Sequence, residues 1–341
     1  MNEDHLDKET SVSVDLTPIG VKAKARSRFV AAFDRLCGNA VELLNIPMER
    51  RISRDRATID GEKKVISAIV DYGLRRLKRD PQFAERVAEK HLEQIFGRQI
   101  NKDGVMACAI EDLRHTQMTE DEAESGPEKL DPQFLGRLER YAEDASTEEL
   151  RERWGRVLSA EIRSPGTFSP KVLRIVDELD VEAAHLFEEV CKSRLANVLP
   201  RSLVGDLPFD HVTLLSSAGL MVEPGLGQIR SFNSVTGSDG KSRWVLGLGE
   251  YALAFLADSN IDMKSLFLGA EAKNPLLFDE NGVPAIPVYV LTNAGNAVAQ
   301  ILPNNRRIAF QELAKKLREH SPNIEFDMLE VESNKFRFFE I

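Results

Sequence analysis

The sequence predicts a mainly α-helical protein with a C-terminal α+β region: a helical bundle or hairpin followed by a winged-helix-like domain. Two observations support this prediction. From about residue 17 to residue 200, apolar residues recur every three or four positions, and cap residues and prolines separate the runs. Beyond Pro200, glycine, proline and asparagine separate shorter runs in which β-branched and aromatic residues are frequent, which is typical of strands and short helices.

The composition is that of an ordinary globular protein and predicts a cytoplasmic location. The 341 residues are enough for two or three domains, and 42% of them are hydrophobic. We expect no secretory signal in the polar, acidic first residues, and no run approaches the ~18–20 apolar residues of a membrane span. Cys37, Cys108 and Cys191 are odd in number and far apart, which predicts free thiols rather than disulfides or a zinc site.

The net charge of −10 is unevenly distributed along the chain. Residues 20–103 contain 19 Lys and Arg against 12 Asp and Glu, whereas residues 104–200 contain 12 against 21. A nucleic-acid-binding protein normally presents a basic surface, and only the first region offers one. Solvated helix faces of mixed charge are the preferred interpretation. The alternative is a phosphate-binding face, whose candidate residues are Arg50, Arg51, Arg54 and Arg56.

The first part of the chain is predicted to be a disordered N-terminus, residues 1–16, followed by a basic helical block, residues 17–116. Thr17 is a cap residue before Pro18, and Asp80-Pro81 marks the start of a further helix. We predict an elongated hairpin or bundle here, with an extended helix that dimerises as the alternative. The helices predicted in this block cover residues 21–44, 62–77, 81–96 and 99–113.

An acidic linker, residues 117–131, is predicted to lead to a helical domain, residues 132–200. Ser146 begins a capping box for a helix in which Trp154, Leu158 and Ile162 share one face. We expect a core role for this stripe. The remaining signals of this domain are an Asp131-Pro132 helix start, a Pro165-Gly166 stop, a Ser169-Pro170 restart, a cap at Asp180, and Glu161 either exposed beside the stripe or capping the next helix.

The last region, residues 201–341, is predicted to be α+β and winged-helix-like, because a helix that ends at Gly219-Leu220 precedes a hairpin. The predicted strands are 228–232 and 243–248, paired across the Gly237–Gly240 turn, then 286–291, and an antiparallel pair of 324–330 with 335–341. The predicted helices are 211–220, 251–257, 292–301 and 308–320.

Several of these residues resemble a bacterial family of unknown function with the motif W-G-x-x-L-x-x-E…P-G-x-x-S, distantly similar to the abortive-infection alpha proteins. The resemblance covers roughly residues 95–300 and implies a prokaryotic cytoplasmic protein linked to defence against phage. It supplies no active site. The matching positions are Gln99, Asn101, Val105, Ala109, Trp154, Leu158, Glu161, Pro165, Gly166, Ser169, Leu173, Ala184, Phe187, Gly219, Leu220, Leu291, Thr292 and Gly295.

No cofactor and no metal ion are predicted, because the six histidines are scattered and no P-loop, CxxC or HExxH motif is present. One weak catalytic signal remains. Asp262 followed by Glu271 and Lys273 has the residue types with which nucleases hold Mg²⁺ and steady the attacking water. A solvated loop is the preferred interpretation of these three residues.

The sequence therefore favours a non-catalytic interaction or sensor protein that self-associates through its helices, with a role in anti-phage defence and with a protein partner in such a system. Two alternatives stay open. One is a nucleic-acid-binding protein that uses the winged-helix-like region and the basic helices. The other is an Mg²⁺-dependent nuclease.

Overall fold

The structure is a computed structural model, and it describes residues 23–38, 81–115, 126–225, 228–237, 239–259, 274–332 and 335–338. The chain divides into two compact units, Met1–Thr167 and Phe168–Ile341. In the described residues, the first unit is helical and the second combines helices with two sheets, which confirms a mainly helical protein with C-terminal strands. The finer division into a block 17–116, a linker and a domain 132–200 stays a prediction.

Four helices form the described part of the first unit. The break predicted between residues 96 and 99 is wrong, because Pro81–His115 is one continuous helix of 35 residues. Gly97 lies inside it, and a single glycine weakens a helix without ending it. The four helices are α1 (Ala23–Cys37), α2 (Pro81–His115), α3 (Pro132–Asp144) and α4 (Glu148–Arg163).

Cap residues set the starts of α3 and α4. The Asp131 side chain accepts a hydrogen bond from the Gln133 amide at 2.9 Å, as the Asp-Pro pair predicts. The cap of α4 is Thr147 and not Ser146, so the predicted capping box is wrong by one residue. Thr147 is the residue with extended backbone, and its hydroxyl accepts from the Leu150 amide at 3.3 Å.

Helices α2 and α4 pack very closely because Gly155 presents no side chain to α2. A Cβ at Gly155 would lie 2.5 Å from the Cβ of Cys108 and 2.9 Å from the Ala109 amide nitrogen. Trp154 is buried beside this contact and stacks on Tyr141, with 4.5 Å between ring centroids. The Trp154 stripe therefore belongs to the core, as predicted. The apolar α2 residues of this core are Val105, Met106, Ala109, Ile110 and Leu113.

The second unit contains two antiparallel sheets and six helices in its described residues. The helices are α5 (Pro170–Glu178), α6 (Val181–Cys191), α7 (Arg201–Val204), α8 (Phe209–Ser217), α9 (Asn293–Val298) and α10 (Arg306–His320). The strands are β1 (Val198–Pro200), β2 (Gln228–Ser231), β3 (Asn233–Thr236), β4 (Ser242–Leu248), β5 (Tyr251–Leu256), β6 (Leu277–Phe278), β7 (Pro284–Val290), β8 (Asp327–Glu332) and β9 (Lys335–Phe338). One sheet has the order β1-β7-β2, with β6 also on β7, and the other has the order β3-β4-β5-β8-β9.

Two predictions for this unit are wrong. Tyr251–Leu256 is strand β5 and not a short helix, and β4 forms its hairpin with β3, whereas β2 joins β7 in the other sheet. The β5 run has no polar alternation because both of its faces are buried, so its period is not visible in the sequence. The predicted strand at β7, the helix at α10 and the β8–β9 pair are confirmed.

Candidate interaction surface

Helices α1 and α3 both end beside the same turn of α2, at residues 99–101. There the Gln99 side chain donates to the Leu36 carbonyl at 3.2 Å, at the last turn of α1. The Asn101 side chain donates to the Glu143 carbonyl at 2.8 Å, at the last turn of α3. Residues 81–98 of α2 therefore extend past the described ends of α1 and α3, by about 27 Å at 1.5 Å per residue.

We call Glu89–Ile100 the arm of α2. Every residue from Glu89 to Phe96 is exposed, and four large apolar side chains are among them or follow within one turn. Leu92 is 52% exposed, Ile95 49%, Phe96 63% and Ile100 60%. Spacings of three and four residues place them on one side of the helix. This stripe has no cover among the residues that the structure describes.

The apolar stripe of the arm continues the buried stripe of the same helix. Leu92 and Ile95 stand in line with Gln99, Met106 and Leu113, because steps of three, four and seven residues return to nearly the same side of a helix. Met106 and Leu113 are buried against the other helices of the bundle. The same helix face is therefore core at its C-terminal half, and at the arm no described residue covers it.

The charges of the arm are balanced. Its exposed ionisable residues include Glu89, Lys90, Glu93 and Arg98, two of each sign. Nη1 of Arg98 also lies 3.7 Å from Oε2 of Glu143, at the base of the arm. A surface with balanced charge does not repel a second copy of itself, so electrostatics leave self-association open.

The W-G-x-x-L-x-x-E…P-G-x-x-S motif forms the other end of the bundle. Glu161 is only 2% exposed, so the expectation that it is exposed is wrong. Its Oε1 accepts a hydrogen bond from the Gly166 amide at 2.6 Å, which closes the Pro165-Gly166 turn, and the cap of the next helix is Ser169. Sequence reasoning missed this role because a glutamate beside an apolar stripe is normally solvated.

A buried arginine on α1 holds the same turn. Arg28 is fully buried and donates to the Pro127 carbonyl at 2.8 Å and to the Ile162 carbonyl at 2.9 Å. Burial lowers the pKa of its guanidinium, and the negative charge of Glu161 opposes this shift. The available signal was position, since Arg28 stands on the apolar side of α1 between Ala25 and Ala32.

A second buried arginine joins the last turns of α2 and α4. Nη2 of Arg163 lies 3.4 Å from Oδ2 of Asp112, and the Ser159 hydroxyl donates to the same carboxylate. Nη1 of Arg163 is buried and has no hydrogen-bond partner among the described residues. The arrangement links the two helices through one carboxylate.

The catalytic and nucleic-acid-binding residues predicted from the sequence all lie outside the described residues, so they stay predictions. The set outside the described residues comprises Asp262, Glu271, Lys273, Arg50, Arg51, Arg54 and Arg56, together with the predicted disordered segment 1–16 and helix 62–77. Across the described ranges, no group of three His, Cys, Asp or Glu side chains could hold a metal ion.

Burial raises the pKa of the Cys37 and Cys191 thiols to about 12, so both are protonated at neutral pH.

Comparison with known proteins finds one family to which part of the chain is similar. Residues 85–199 match the model of a family described as a protein of unknown function (DUF2806). This match supports similarity to a family of unknown function over about a third of the chain, a range that includes the whole arm. No curated protein and no solved structure matches the chain. None of the described helices is long and apolar enough to span a membrane.

Proposed function

We propose that the protein is a non-catalytic interaction protein that self-associates through the arm of α2. The observation that supports this is the exposed stripe of Leu92, Ile95, Phe96 and Ile100, continuous with a buried core stripe. Exposed apolar patches of this kind on soluble proteins commonly mark interaction sites. The α+β unit supplies recognition in this proposal.

The energetics of the arm favour a partner. An isolated helix shorter than ~12–15 residues is marginal in water, and a projecting helix obtains its stability from packing of its apolar face. Complete burial of a large apolar side chain contributes about 1.5–3 kcal/mol, and these four side chains are about half exposed. Association must also offset roughly 4–15 kcal/mol of lost freedom, so the flanking polar residues of the arm must take part as well.

The test is the oligomeric state of the full chain and of two matched variants, measured by equilibrium sedimentation at micromolar concentrations. Phe96→Glu places a charge in the stripe, so this variant is expected to be a monomer while the unchanged chain is a dimer. Ile308→Glu is the control, since Ile308 is an equally exposed apolar residue on α10 of the other unit. A monomeric unchanged chain, or a Phe96→Glu variant that still dimerises, contradicts the proposal.

Nucleic-acid binding is the second candidate, favoured by the positive charge balance of residues 20–103. In this proposal the winged-helix-like region and Arg50, Arg51 and Arg54 contact phosphates. Binding that falls steeply with salt is then expected in a fluorescence-anisotropy titration of labelled oligonucleotides, and reversal of the three arginine charges weakens it. Mg²⁺-dependent cleavage that is lost in Glu271→Ala would support the nuclease alternative instead.

A role in anti-phage defence is supported by the sequence resemblance to the abortive-infection alpha proteins. The corresponding test compares phage plating on bacteria that express the full chain, the Phe96→Glu variant or the Ile308→Glu control. Protection by the chain and by the control, but not by Phe96→Glu, connects defence to the arm. Equal plating on all three strains and on the empty host contradicts a defensive role.

A further inference from the structure

Helix α8 is the helix on which the winged-helix-like prediction rests. It ends at Ser217, shortly before Gly219, and β2 is the next strand along the chain. In DNA-binding proteins of the helix-turn-helix kind, one helix lies in the major groove, where its side chains contact bases and phosphates. The side chains that α8 presents to solvent therefore indicate which class of partner this helix can bind.

The exposed residues of α8 are Phe209, Asp210, Thr213 and Ser217, and we call them the α8 face. Steps of four residues place three of them on one side of the helix, and Leu215 is buried on the other side. Phe209 is 85% exposed, the largest exposure of any large hydrophobic side chain in the described part of the chain. The α8 face thus combines an aromatic side chain with a carboxylate.

The α8 face has few groups that could bind a phosphate. The Thr213 hydroxyl donates to the carbonyl four residues back at 2.8 Å, and the Ser217 hydroxyl donates to the carbonyl three residues back at 3.0 Å. Both hydroxyl protons are therefore used within the helix. Asp210 repels phosphate, and His211 is the one residue of α8 that can carry a positive charge.

The chain around α8 is acidic as well. Between Arg201 and Arg230 it contains Asp206, Asp210 and Glu223 but no Lys or Arg. Nucleic-acid affinity comes largely from Lys and Arg side chains that neutralise phosphates and release their counterions. Helix α8 offers none of these contacts.

Helix α6 packs against α8 and adds to this negative charge. The exposed ionisable residues of α6 and of its C-cap comprise three carboxylates, one histidine and one lysine: Glu182, Glu188, Glu189, His185 and Lys192. The lysine forms an ion pair with Glu189. Val181, at the start of the same helix, is a further exposed apolar residue. An acidic surface attracts a basic partner and repels nucleic acid.

We infer that the α8 face is a docking site for a protein partner that presents an apolar pocket bordered by Lys and Arg side chains. Phe209 enters the pocket, and Asp210 and the carboxylates of α6 contact the basic border. Aromatic side chains are frequent anchors of protein interfaces. This inference rests on the proposal that the α+β unit supplies recognition, and it does not require pairing of the arm.

The test measures the binding of three fluorescent probes to the full chain by anisotropy. The first probe is an amphipathic helical peptide of leucine and lysine, which has the chemistry of the inferred partner. The second is the same peptide with glutamate in place of lysine, and the third is a DNA duplex. We expect the lysine peptide to bind with an affinity that falls as salt rises, and the glutamate peptide to bind at least about tenfold more weakly.

Two variants locate the binding. Phe209→Ala removes the anchor without disturbing the core, and it is expected to weaken binding of the lysine peptide about tenfold. Asp210→Lys reverses one charge and is expected to weaken it several-fold at low salt. The matched controls lie on α10 of the same unit, where Ile308→Ala removes an exposed apolar side chain and Glu319→Lys reverses an exposed charge.

Three results would overturn the inference. The first is a lysine peptide that does not bind, and the second is binding that the α8 variants weaken no more than the controls do. The third is a DNA duplex that displaces the lysine peptide and binds less tightly to Phe209→Ala, which supports the nucleic-acid candidate instead.

Sedimentation separates this inference from self-association through the arm. Phe209→Ala is expected to leave the oligomeric state of the full chain unchanged, because Phe209 lies outside the arm. A chain that dimerises without binding the lysine peptide overturns the docking site alone, and a monomer that binds the peptide through Phe209 overturns self-association alone. Loss of the dimer in Phe209→Ala shows that a second copy occupies the α8 face, which overturns the inferred partner.

Discussion

The carboxylate of Glu161 holds the amide of Gly166: its Oε1 accepts that N–H at 2.6 Å, five residues along the chain. The contact closes the turn after α4, and the fully buried guanidinium of Arg28 lies close enough for their charges to interact. One carboxylate thereby serves both a backbone donor and a buried cation. This is the structural role of Glu161 before the Pro165-Gly166 turn in this chain.

Removal of the Glu161 side chain is expected to be strongly destabilising. Glu161→Ala leaves the Gly166 amide and the Arg28 charge without this partner, at a cost of about 3–5 kcal/mol typical of a broken buried pair. Glu161→Gln keeps an acceptor oxygen and is expected to cost less. The free energy of unfolding from urea denaturation is the measurement. The prediction fails if Glu161→Ala costs no more than Glu149→Ala on the exposed side of α4.

Close packing of α2 on α4 predicts that Gly155→Ala destabilises the helical unit. The added Cβ would meet both the Cys108 side chain and the Ala109 backbone, so the helices must separate, and overpacking typically costs about 1–3 kcal/mol. Gly97→Ala is the matched control. Its Cβ meets nothing, and the gain in helix propensity is about 1 kcal/mol. Thermal unfolding should therefore shift in opposite directions, and a shared direction contradicts the packing argument.

The Leu291-Thr292-x-x-Gly295 phrase predicts a capping effect in the second unit. The Thr292 hydroxyl accepts from the Gly295 amide at 2.9 Å and donates to the Gly219 carbonyl. Thr292→Val removes both bonds and is expected to cost about 1–2 kcal/mol, whereas Thr292→Ser keeps them and costs less. Urea denaturation of the two variants provides the comparison, and equal losses would show that the hydroxyl has no such role.

Burial of Cys191 predicts slow thiol chemistry and a dependence of stability on alkaline pH. Burial raises the pKa of this thiol from 9.0 to about 12, with the charge of Arg194 opposing the shift. The folded state therefore holds the proton more tightly than the unfolded chain does. The stabilisation is complete below pH 9 and is lost as the pH rises from about 9 to about 12.

The measurement is the reaction of the native chain with a disulfide reagent at pH 8, followed by mass spectrometry of the Cys191 peptide. Slow modification without denaturant and rapid modification in denaturant are expected. Alkaline denaturation of Cys191→Ala, compared with that of the unchanged chain, checks whether this thiol causes the loss of stability above pH 9. Rapid native modification contradicts the buried environment.

Local sequence signals predicted much of the fold, and the prediction failed where long-range contacts determine the structure. Asp131, Ser169 and Thr292 mark helix starts because a cap is a bond within three residues. The predicted helical period of Tyr251–Leu256 is wrong because both faces of that strand are buried, which only the neighbouring strands determine. An extended helix that dimerises was the alternative prediction for residues 17–116, and that pairing stays a prediction.

The buried positions of Glu161 and Arg28 were beyond sequence reasoning for a related reason. Each charge can be buried only with its partners in place, and Arg28 contacts backbone atoms 99 and 134 residues away. The sequence does not indicate which distant carbonyl will accept a hydrogen bond from a given arginine. The apolar pattern of α1 shows that Arg28 lies on an apolar face, and only the folded structure shows which groups bind it there.

The continuity of α2 has a thermodynamic consequence. The same uninterrupted helix supplies core residues to the bundle and the exposed stripe of the arm, so a partner that binds the arm also favours the folded bundle. With a second copy as that partner, mass action links folding to protein concentration. Dilution then lowers the stability of the helical unit, and the unfolding midpoint of this unit rises with the concentration of the chain.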